Sequence, residues 1–371
     1  VKNPFIYVLP EDRIAQRHAG FDGRREDSKL LSLSWKDDSF DLSDHSFKDI
    51  LSVLRPGDLL VLNNTRVLHA RFFLNLSDGK DAEVLLIRPD QISETAESSI
   101  WEVLARPMRK FKEGSVLNLS EHIKAEVLGR TTDERFLKLK LSVISDDNET
   151  KSLIDWIEKE GNAPIPPYIR GGRSDFSDKE VYQTVFAGTD KGSVAAPTAS
   201  LHFSNEILDQ LLSNDIALEY LTLHVGPGSF LPIDENVENL DRVYEERFYV
   251  PQKTWDAVIR QKNDGQRVIG VGTTVVRALE SIARKESPLD YLNSWQETDL
   301  FLKPGSSFHV IDAMFTNFHQ PRSTHLQLVA AFIGVNAISS LYQHALNSGY
   351  AFLSYGDSCF LEKSKTESSK N

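Results

Sequence analysis

Residues 72–144 place the tightest limit on the fold. AEVLLIR, IWEVLAR, GSVLNL, IKAEVLGR and FLKLKLSV follow one another as short apolar segments with partial alternation, separated by charged and turn-forming residues. Alternation at a period of two gives a strand one buried and one wet face, so closely spaced strands of this kind predict a small antiparallel β-barrel. The flanks have a different texture. Upstream, RPGDLLVLNNTRVLHARF carries a Pro-Gly-Asp turn, the apolar strand LLVLN and the polar stop NNTR. Downstream come a loop, DDNETKS, a short helix, IDWIEKEG, and then EILDQLLSNDI, a helical pattern with Ser204 as its N-cap. ALEYLTLHVG reads as a strand, RVIGVGTTVVRALESIARK as strand, tight turn and helix, STHLQLVAAFIG and AISSLYQHALNSG as amphipathic helices, and YAFLSYGDSCFL as a late strand. The economical architecture is a mixed α/β domain built from both ends of the chain, 1–71 and 150–361. It is interrupted by an inserted antiparallel barrel at 72–149 and followed by a disordered polar tail at 362–371.

Composition narrows the function classes. The single cysteine, Cys359, excludes a disulfide framework and any multi-thiolate metal site, and its apolar surroundings suggest a buried small hydrophobe. Ten histidines are present, but none falls in an HExxH or HxH pattern, so no metal is expected. A GxSxG nucleophile elbow is absent, which leaves a hydrolase little support. No apolar run is long enough to span a bilayer, and the opening VKNPFIYVLPEDRIAQ lacks the form of a secretory signal, so a cytoplasmic location is expected. The net charge of −12 argues against a protein coated in nucleic acid yet leaves room for a local basic face.

Several glycine-rich or small-residue loops carry the candidate chemistry. In VIGVGTTVVRALES a strand ends at Gly270 and Gly272, and Thr273 and Thr274 open a helix whose unpaired N–H groups favour an anion. A tight turn capped by either threonine would have the same sequence. In YLTLHVGPGSF, His224 ends a strand before a loop where Gly226 and Gly228 permit close approach; it is placed for proton transfer or for satisfying loop carbonyls. GSVAAPTASLHF offers little bulk at Ala195, Ala196 and Ala199, a bend at Pro197, and polar groups at Thr198, Ser200 and His202. A close crossing of backbones competes with ligand binding there. TNFHQP adds Asn317 and His319, suited to orienting a substrate or to turn chemistry. Two basic runs, Arg106, Arg109, Lys110 and Lys112 in ARPMRKFKEG and Tyr168, Arg170 and Arg173 in YIRGGR, fit phosphate contact with base stacking, or hairpin turns with solvated charges.

In order along the chain, YVLPEDRIAQ with RREDSKLL, PGDLLVLNNTRVLHAR, PPYIR, YQTVFA, GSVAAPTASLHF, TLHVGPGSF, VGTTVVRALES, TNFHQPRST and YGDS form a set. Together they resemble the S-adenosylmethionine:tRNA ribosyltransferase-isomerase family of queuosine biosynthesis, from about Asn3 to Leu361. The resemblance implies an α/β domain with an inserted β-barrel. It also implies transfer and isomerisation of the ribosyl part of S-adenosylmethionine onto 7-aminomethyl-7-deazaguanine at the wobble position of tRNA. Epoxyqueuosine-tRNA, adenine and methionine are the products; S-adenosylmethionine is a consumed substrate and no metal is needed. The chain is expected to act as a monomer.

On those motifs the resemblance assigns His202, His224 and Glu246 to acid–base or orienting work. Asp27, Asn63, Asn64, Thr65, Arg66, Ala196, Thr198, Gly226, Gly228, Asn317 and His319 become substrate contacts, and Gly272, Thr273, Thr274 and Arg277 hold the methionine carboxylate or another anion. One departure stands out: where the family usually has HxMHxE this chain has DRVYEE, with Asp241 and Tyr244 in place of the two histidines and Glu246 retained. Pro227 and His325 are smaller deviations. The departure makes a non-catalytic tRNA-binding paralogue the rival reading, with ordinary methyl transfer from S-adenosylmethionine as a third.

Overall fold

The computed structural model describes residues 5–19, 23–75, 79, 81–90, 97–144, 152–189, 191–226, 228 and 243–364. The chain opens on a hairpin, β1 (Lys29–Lys36) with β2 (Ser39–Ser46), and continues into β3 (Leu59–Asn63), buried at every position. A strand without an exposed face needs cover on both sides, as parallel strands under helices have. The two-residue β4 (Arg66–Val67) leads to the insert. There, β5 (Arg71–Asn75), β6 (Asp81–Pro89), β7 (Ser98–Arg106), β8 (Val116–Asn118), β9 (Ile123–Arg130) and β10 (Leu137–Val143) pair antiparallel in the order β5-β6-β7-β10-β9-β8. Ile123, Ala125 and Val127 of β9 and Leu137, Leu139 and Leu141 of β10 are buried in alternation, as read from the sequence. Among the described residues no ladder joins β5 to β8, so the expected closed barrel is an open, curled sheet. Against it packs α1 (Leu153–Glu160), which adds Leu153, Ile154, Trp156 and Ile157 to the same core; the Ser152 hydroxyl caps it by accepting from Asp155 N at 3.2 Å.

The second half of the chain supplies α2 (Phe176–Val181), β11 (Lys191–Ser193), α3 (Asn205–Ser213), β12 (Ala217–His224) and β13 (Glu246–Tyr249). Then come α4 (Gln252–Asn263), β14 (Val268–Val271), α5 (Thr273–Ala283), β15 (Trp295–Thr298), β16 (Ala313–Asn317), α6 (Thr324–Ile333), α7 (Val335–Asn347) and β17 (Ser358–Glu362). They complete a nine-stranded mixed sheet, β15-β13-β12-β3-β14-β16-β17-β1-β2. Its centre, β12-β3-β14-β16, is parallel. Ser204 caps α3 as expected, accepting from Ile207 N at 3.3 Å.

Three local expectations change. The late strand is shorter than read, because Ala351–Asp357 turn back on themselves: Asp357 accepts from Ala351 N and Lys29 N, both at 2.7 Å, tying that turn to β1. Glu362 and Ser364 belong to the fold, with Ser364 N donating to Phe332 O, so the polar tail starts later than 362. The remainder of that tail and the loop read at 146–151 lie outside the described residues. Neither Thr273 nor Thr274 caps α5. Gly272 holds that position, with φ 98° and no side-chain cap.

The central parallel strands set the site. β3 ends at Asn63, β12 at His224, β14 at Val271 and β16 at Asn317, and four of the polar segments singled out in the sequence follow those ends, whereas GSVAAPTASLHF follows β11. In open α/β sheets the crevice beyond the carboxyl ends of the strands is where ligands bind.

Candidate active site

A cleft of about 980 Å³ opens over the ends of β14 and β16, and residues of the curled sheet close its far side. Pockets for small ligands run roughly 300–1,000 Å³, so there is room for a nucleoside-sized substrate with a further group beside it. Of the sequence candidates, Ala196, Thr198, Gly226, Gly228, Glu246, Gly272, Thr273, Thr274, Arg277, Asn317 and His319 line it. Asp27, Asn63, Asn64, Thr65, Arg66, His202 and His224 do not.

The helix terminus and the small-residue run meet here. A Cβ on Gly272 would lie 3.7 Å from Ala199 Cβ, so the GSVAAPTAS backbone passes close to the first turn of α5. Val276 N donates to Gly272 O at 3.2 Å as the first helical bond. The earlier N–H groups of α5 have no side-chain cap and face the cleft through Thr273 and Thr274, a place that favours an anion. At Gly270 a Cβ would come within 2.9 Å of Val276 Cγ2; glycine there lets α5 seat tightly on β14.

Two imidazoles face the same space. His319 follows β16, its Nε2 is 2.9 Å from Thr316 Oγ1, and its N–H donates to the Tyr342 hydroxyl at 2.9 Å. Its ring stacks on His325 of α6, centroids 5.2 Å apart and planes 20° apart. Burial, with His325 beside it, holds His319 well below the usual histidine value, and burial, with Arg277 nearby, pushes His325 down to about 4. Both rings are neutral at physiological pH. Sequence reading passed over His325 except as a deviation. The signal was present in HQPRSTH, where two histidines bracket a turn that ends in the Ser323 N-cap.

Arg277 projects from α5 into a nearly closed hydrogen-bond shell. Its Nη1 donates to Glu246 Oε2, its Nε to Leu300 O at 3.0 Å, and its Nη2 to Thr298 O at 3.2 Å and Tyr244 O at 3.4 Å. Both partners of the ion pair are buried, so each is the other's counter-charge. Tyr244, standing where a family histidine was expected, lines the cleft and lies under the Arg135 guanidinium, 5.2 Å from its ring centroid. Arg135 in turn bonds Asp133 at 2.8 and 2.5 Å. Asp241 and Pro227 lie outside the described residues.

The remaining candidates do not reach the cleft. His202 is fully buried, its Nδ1 2.9 Å from Ser28 Oγ and its ring 5.1 Å from that of Phe47. Burial pushes it down to about 4, opposed by hydrogen bonding with the cleft-lining Asn317, whose Nδ2 donates to Leu353 O at 3.0 Å. His224 Nδ1 lies 3.0 Å from Thr65 Oγ1, its ring stacks on Trp295 at 4.7 Å, and burial with Arg247 nearby pushes it down to about 4. Asn63 is spent joining β3 to β12, donating to Leu223 O at 2.9 Å and accepting from Leu223 N and Thr65 N at 3.0 Å. Asn64 Oδ1 accepts from Thr222 Oγ1 at 2.8 Å, Arg66 lies in the short β4–β11 pairing, and exposed Asp27 accepts from Arg24 N at 2.9 Å. Cys359 is buried and donates to Thr316 O, and burial pushes its thiol up. Among the described residues no group of His, Cys, Asp and Glu gathers as a metal site.

A mixed sheet that carries its polar loops beyond adjacent parallel strands, with an open helix terminus and neutral imidazoles over them, defines a small-molecule-binding α/β protein. The chain matches the model of the family described as "Queuosine biosynthesis protein" over residues 2–361. The S-adenosylmethionine:tRNA ribosyltransferase-isomerase of Azoarcus sp. (strain BH72) is 41% identical over 359 residues, 97% of this chain and 96% of its own. That of Geobacter metallireducens is 39% identical over 358 residues, 96% of this chain and 98% of its own. The crystal structure of S-adenosylmethionine tRNA ribosyltransferase from Thermotoga maritima is similar with a TM-score of 0.50 at 31% identity, covering 96% of this chain and 99% of that one. The chain belongs to the queuosine biosynthesis family.

Proposed function

We propose that the protein is an S-adenosylmethionine:tRNA ribosyltransferase-isomerase of queuosine synthesis and that the cleft over β14 and β16 is where it works. The observation that supports this most is the convergence, in one 980 Å³ cleft, of an uncapped helix N-terminus, the small-residue run and two neutral imidazoles. The methionine carboxylate of S-adenosylmethionine fits the N–H groups of α5 at Thr273 and Thr274. The ribose lies along Ala196–Thr198, where small side chains permit close approach and exclude water. The sulfonium acidifies the neighbouring ribose 5′ carbon, and the neutral imidazole of His319 or His325 takes the proton. Uncharged rings serve twice: they are available as bases at neutral pH and they do not repel a sulfonium.

In this reading Asn317 orients the substrate, and His202 positions Asn317 from behind rather than meeting substrate. His224 and Thr65 stiffen the end of β12 through the Trp295 stack. Glu246 holds Arg277. The acceptor is 7-aminomethyl-7-deazaguanine at the tRNA wobble position, and the products are epoxyqueuosine-tRNA, adenine and methionine. The two sheets act as two domains, 1–71 with 150–361 and the inserted 72–149. The protein works as a cytoplasmic monomer. Incubation with S-adenosylmethionine and tRNA carrying the aminomethyl-deazaguanine should release adenine and methionine together. S-adenosylhomocysteine would instead establish methyl transfer, and tRNA binding without turnover would establish a non-catalytic paralogue.

A further inference from the structure

Alanines can form a wall of the cleft only if something else holds them still. A methyl group makes no hydrogen bond and buries little area, so the small-residue run depends for its position on the residues before it. These are Gly192 and Ser193 of β11, neither of which lines the cleft. Ser193 is fully buried, and its hydroxyl is used twice. Its Oγ donates to Ala195 O at 2.7 Å and accepts from Val225 N at 3.0 Å. Ala195 lines the cleft with the rest of the run, and Val225, just past the end of β12, lines it with Gly226 and Gly228. One hydroxyl therefore ties together two cleft-facing segments, reaching a partner 32 residues further along the chain.

The surroundings of Ser193 make that tie rigid. Its carbonyl accepts from Leu68 N at 3.0 Å, beside the pairing of Ser193 with Val67 in β4. At Gly192 a Cβ would fall 2.6 Å from His224 Nε2 and 2.7 Å from His224 Cε1, so the imidazole lies directly against the glycine backbone. His224 is itself held by Thr65 and by the stack on Trp295, whose ring also lies 4.7 Å from the Arg247 guanidinium. Residues 192 and 193 are thus docked on residues 224 and 225 by one close steric fit and one hydroxyl. The two cores of the molecule meet at this junction. Val194 and Ala195 pack into the core of the curled sheet, Ala199 packs into the core of the mixed sheet, and Val225 packs against both. A shift at Ser193 moves the walls of the cleft relative to each other, because they come from both sheets.

We infer that Ser193 is a positioning residue for ribosyl transfer: its hydroxyl latches the small-residue run to the end of β12 and so fixes the wall along which the ribose lies. The inference rests on the function proposed above and adds to it a residue that touches no substrate. Alanine at 193 leaves Ala195 O and Val225 N without the shared partner, and the run is free to settle elsewhere. A misplacement of about 1 Å in a reacting geometry costs about 10²-fold in rate. The N–H groups of α5 that take the carboxylate are not part of the latch, so the substrate still binds when it is lost.

The test uses Ser193→Ala, which releases the run, and Gly192→Ala, which pushes it off the His224 ring. Adenine release is followed against S-adenosylmethionine concentration at saturating tRNA, with rates expressed per folded molecule from urea unfolding of the same preparations. Ser193→Ala should lower kcat by about 10²-fold while its KM for S-adenosylmethionine stays within about threefold of wild type. Gly192→Ala should show the same split and carries the test alone if Ser193→Ala does not fold. A hydroxyl that served only the fold would move the urea midpoint and leave kcat per folded molecule at the wild-type value, which in either variant would overturn the inference. A KM that rises as far as kcat falls would overturn it as well, by making the loss one of binding. A wild type that releases no adenine would overturn the proposed function and this inference together, whereas equal release by wild type and variants would overturn the inference alone.

Discussion

Replacing Glu246 with glutamine separates two jobs that a carboxylate in this cleft can do. Glu246 opens β13 and Arg277 lies on α5, so their ion pair joins the sheet to the helix whose N-terminus faces the cleft. The other guanidinium N–H groups have carbonyl partners, and among the described residues only Glu246 balances the charge. Glutamine keeps an oxygen for Arg277 Nη1 but removes the counter-charge. A hydrogen bond to a charged group contributes about 1.5–3 kcal/mol against about 0.5–1.5 for a neutral one, so Glu246→Gln should cost about 1–2 kcal/mol. Glu246→Ala leaves a buried guanidinium without a partner and should cost about 3–5 kcal/mol. The double change Glu246→Leu with Arg277→Met removes both charges and should recover most of that loss.

Urea unfolding and adenine release, measured on the same preparations, read both quantities. If Glu246 acts by holding Arg277, Glu246→Gln loses the stated stability and keeps its rate within about tenfold of wild type. General acid–base groups contribute about 10²–10⁴-fold. A Glu246→Gln protein with native stability and a rate lower by about a thousandfold would refute the positioning role and make Glu246 a proton carrier.

His319→Gln and His325→Gln should each be tried: the variant that removes the base should slow adenine release by about 10²–10⁴-fold with little change in S-adenosylmethionine binding. The acid limb of the wild-type rate should lie near the depressed histidine value of about 4 rather than near 6.5, and a limb at 6.5 in protein that circular dichroism shows folded would exclude a buried imidazole base. Gly272→Ala forces a side chain onto φ 98°, ψ 147°, which costs about 1–3 kcal/mol and displaces the first turn of α5; its KM for S-adenosylmethionine should rise, and an unchanged KM would remove the helix terminus from the site. His202 titrates near 6.5 when unfolded and at about 4 when folded, so the unfolded chain binds the extra proton between those values. Its share of stability, about 3 kcal/mol, is complete above pH 6.5 and lost as pH falls toward 4; His202→Gln should flatten that part of the urea-midpoint profile.

Much of this was legible because it is local. Strand texture separated the curled sheet from its α/β surroundings, since alternation depends on neighbours two residues apart. The Ser204 cap of α3 and the glycine turn between β14 and α5 are also short-range devices. The roles of single residues were less readable because register decides them. His202 and Asn317 are both polar residues beside apolar strands in sequence, yet the fold buries the first behind the second. Asn63 looks free to meet a ligand until the pairing of β3 with β12 brings Leu223 to both ends of its amide. Arg277 reads as an anion site until Glu246, far away in the chain, reaches it across β13. The barrel failed to close for the same reason: pairing between first and last strands is a long-range fact that no alternation pattern encodes.

The disposition of charge inside the cleft suits the cationic substrate proposed for it. Inside, Arg277 is neutralised by Glu246, and the rings of His319 and His325 carry no charge, so a sulfonium meets no net repulsion there. At position 244 the chain has an uncharged tyrosine, whose ring lies beneath the Arg135 guanidinium, 5.2 Å from it. On the function proposed above, a tyrosine at 244 in place of the family's usual histidine leaves the imidazoles of His319 and His325 as the proton-handling groups of a cleft that Tyr244 and Glu246 also line.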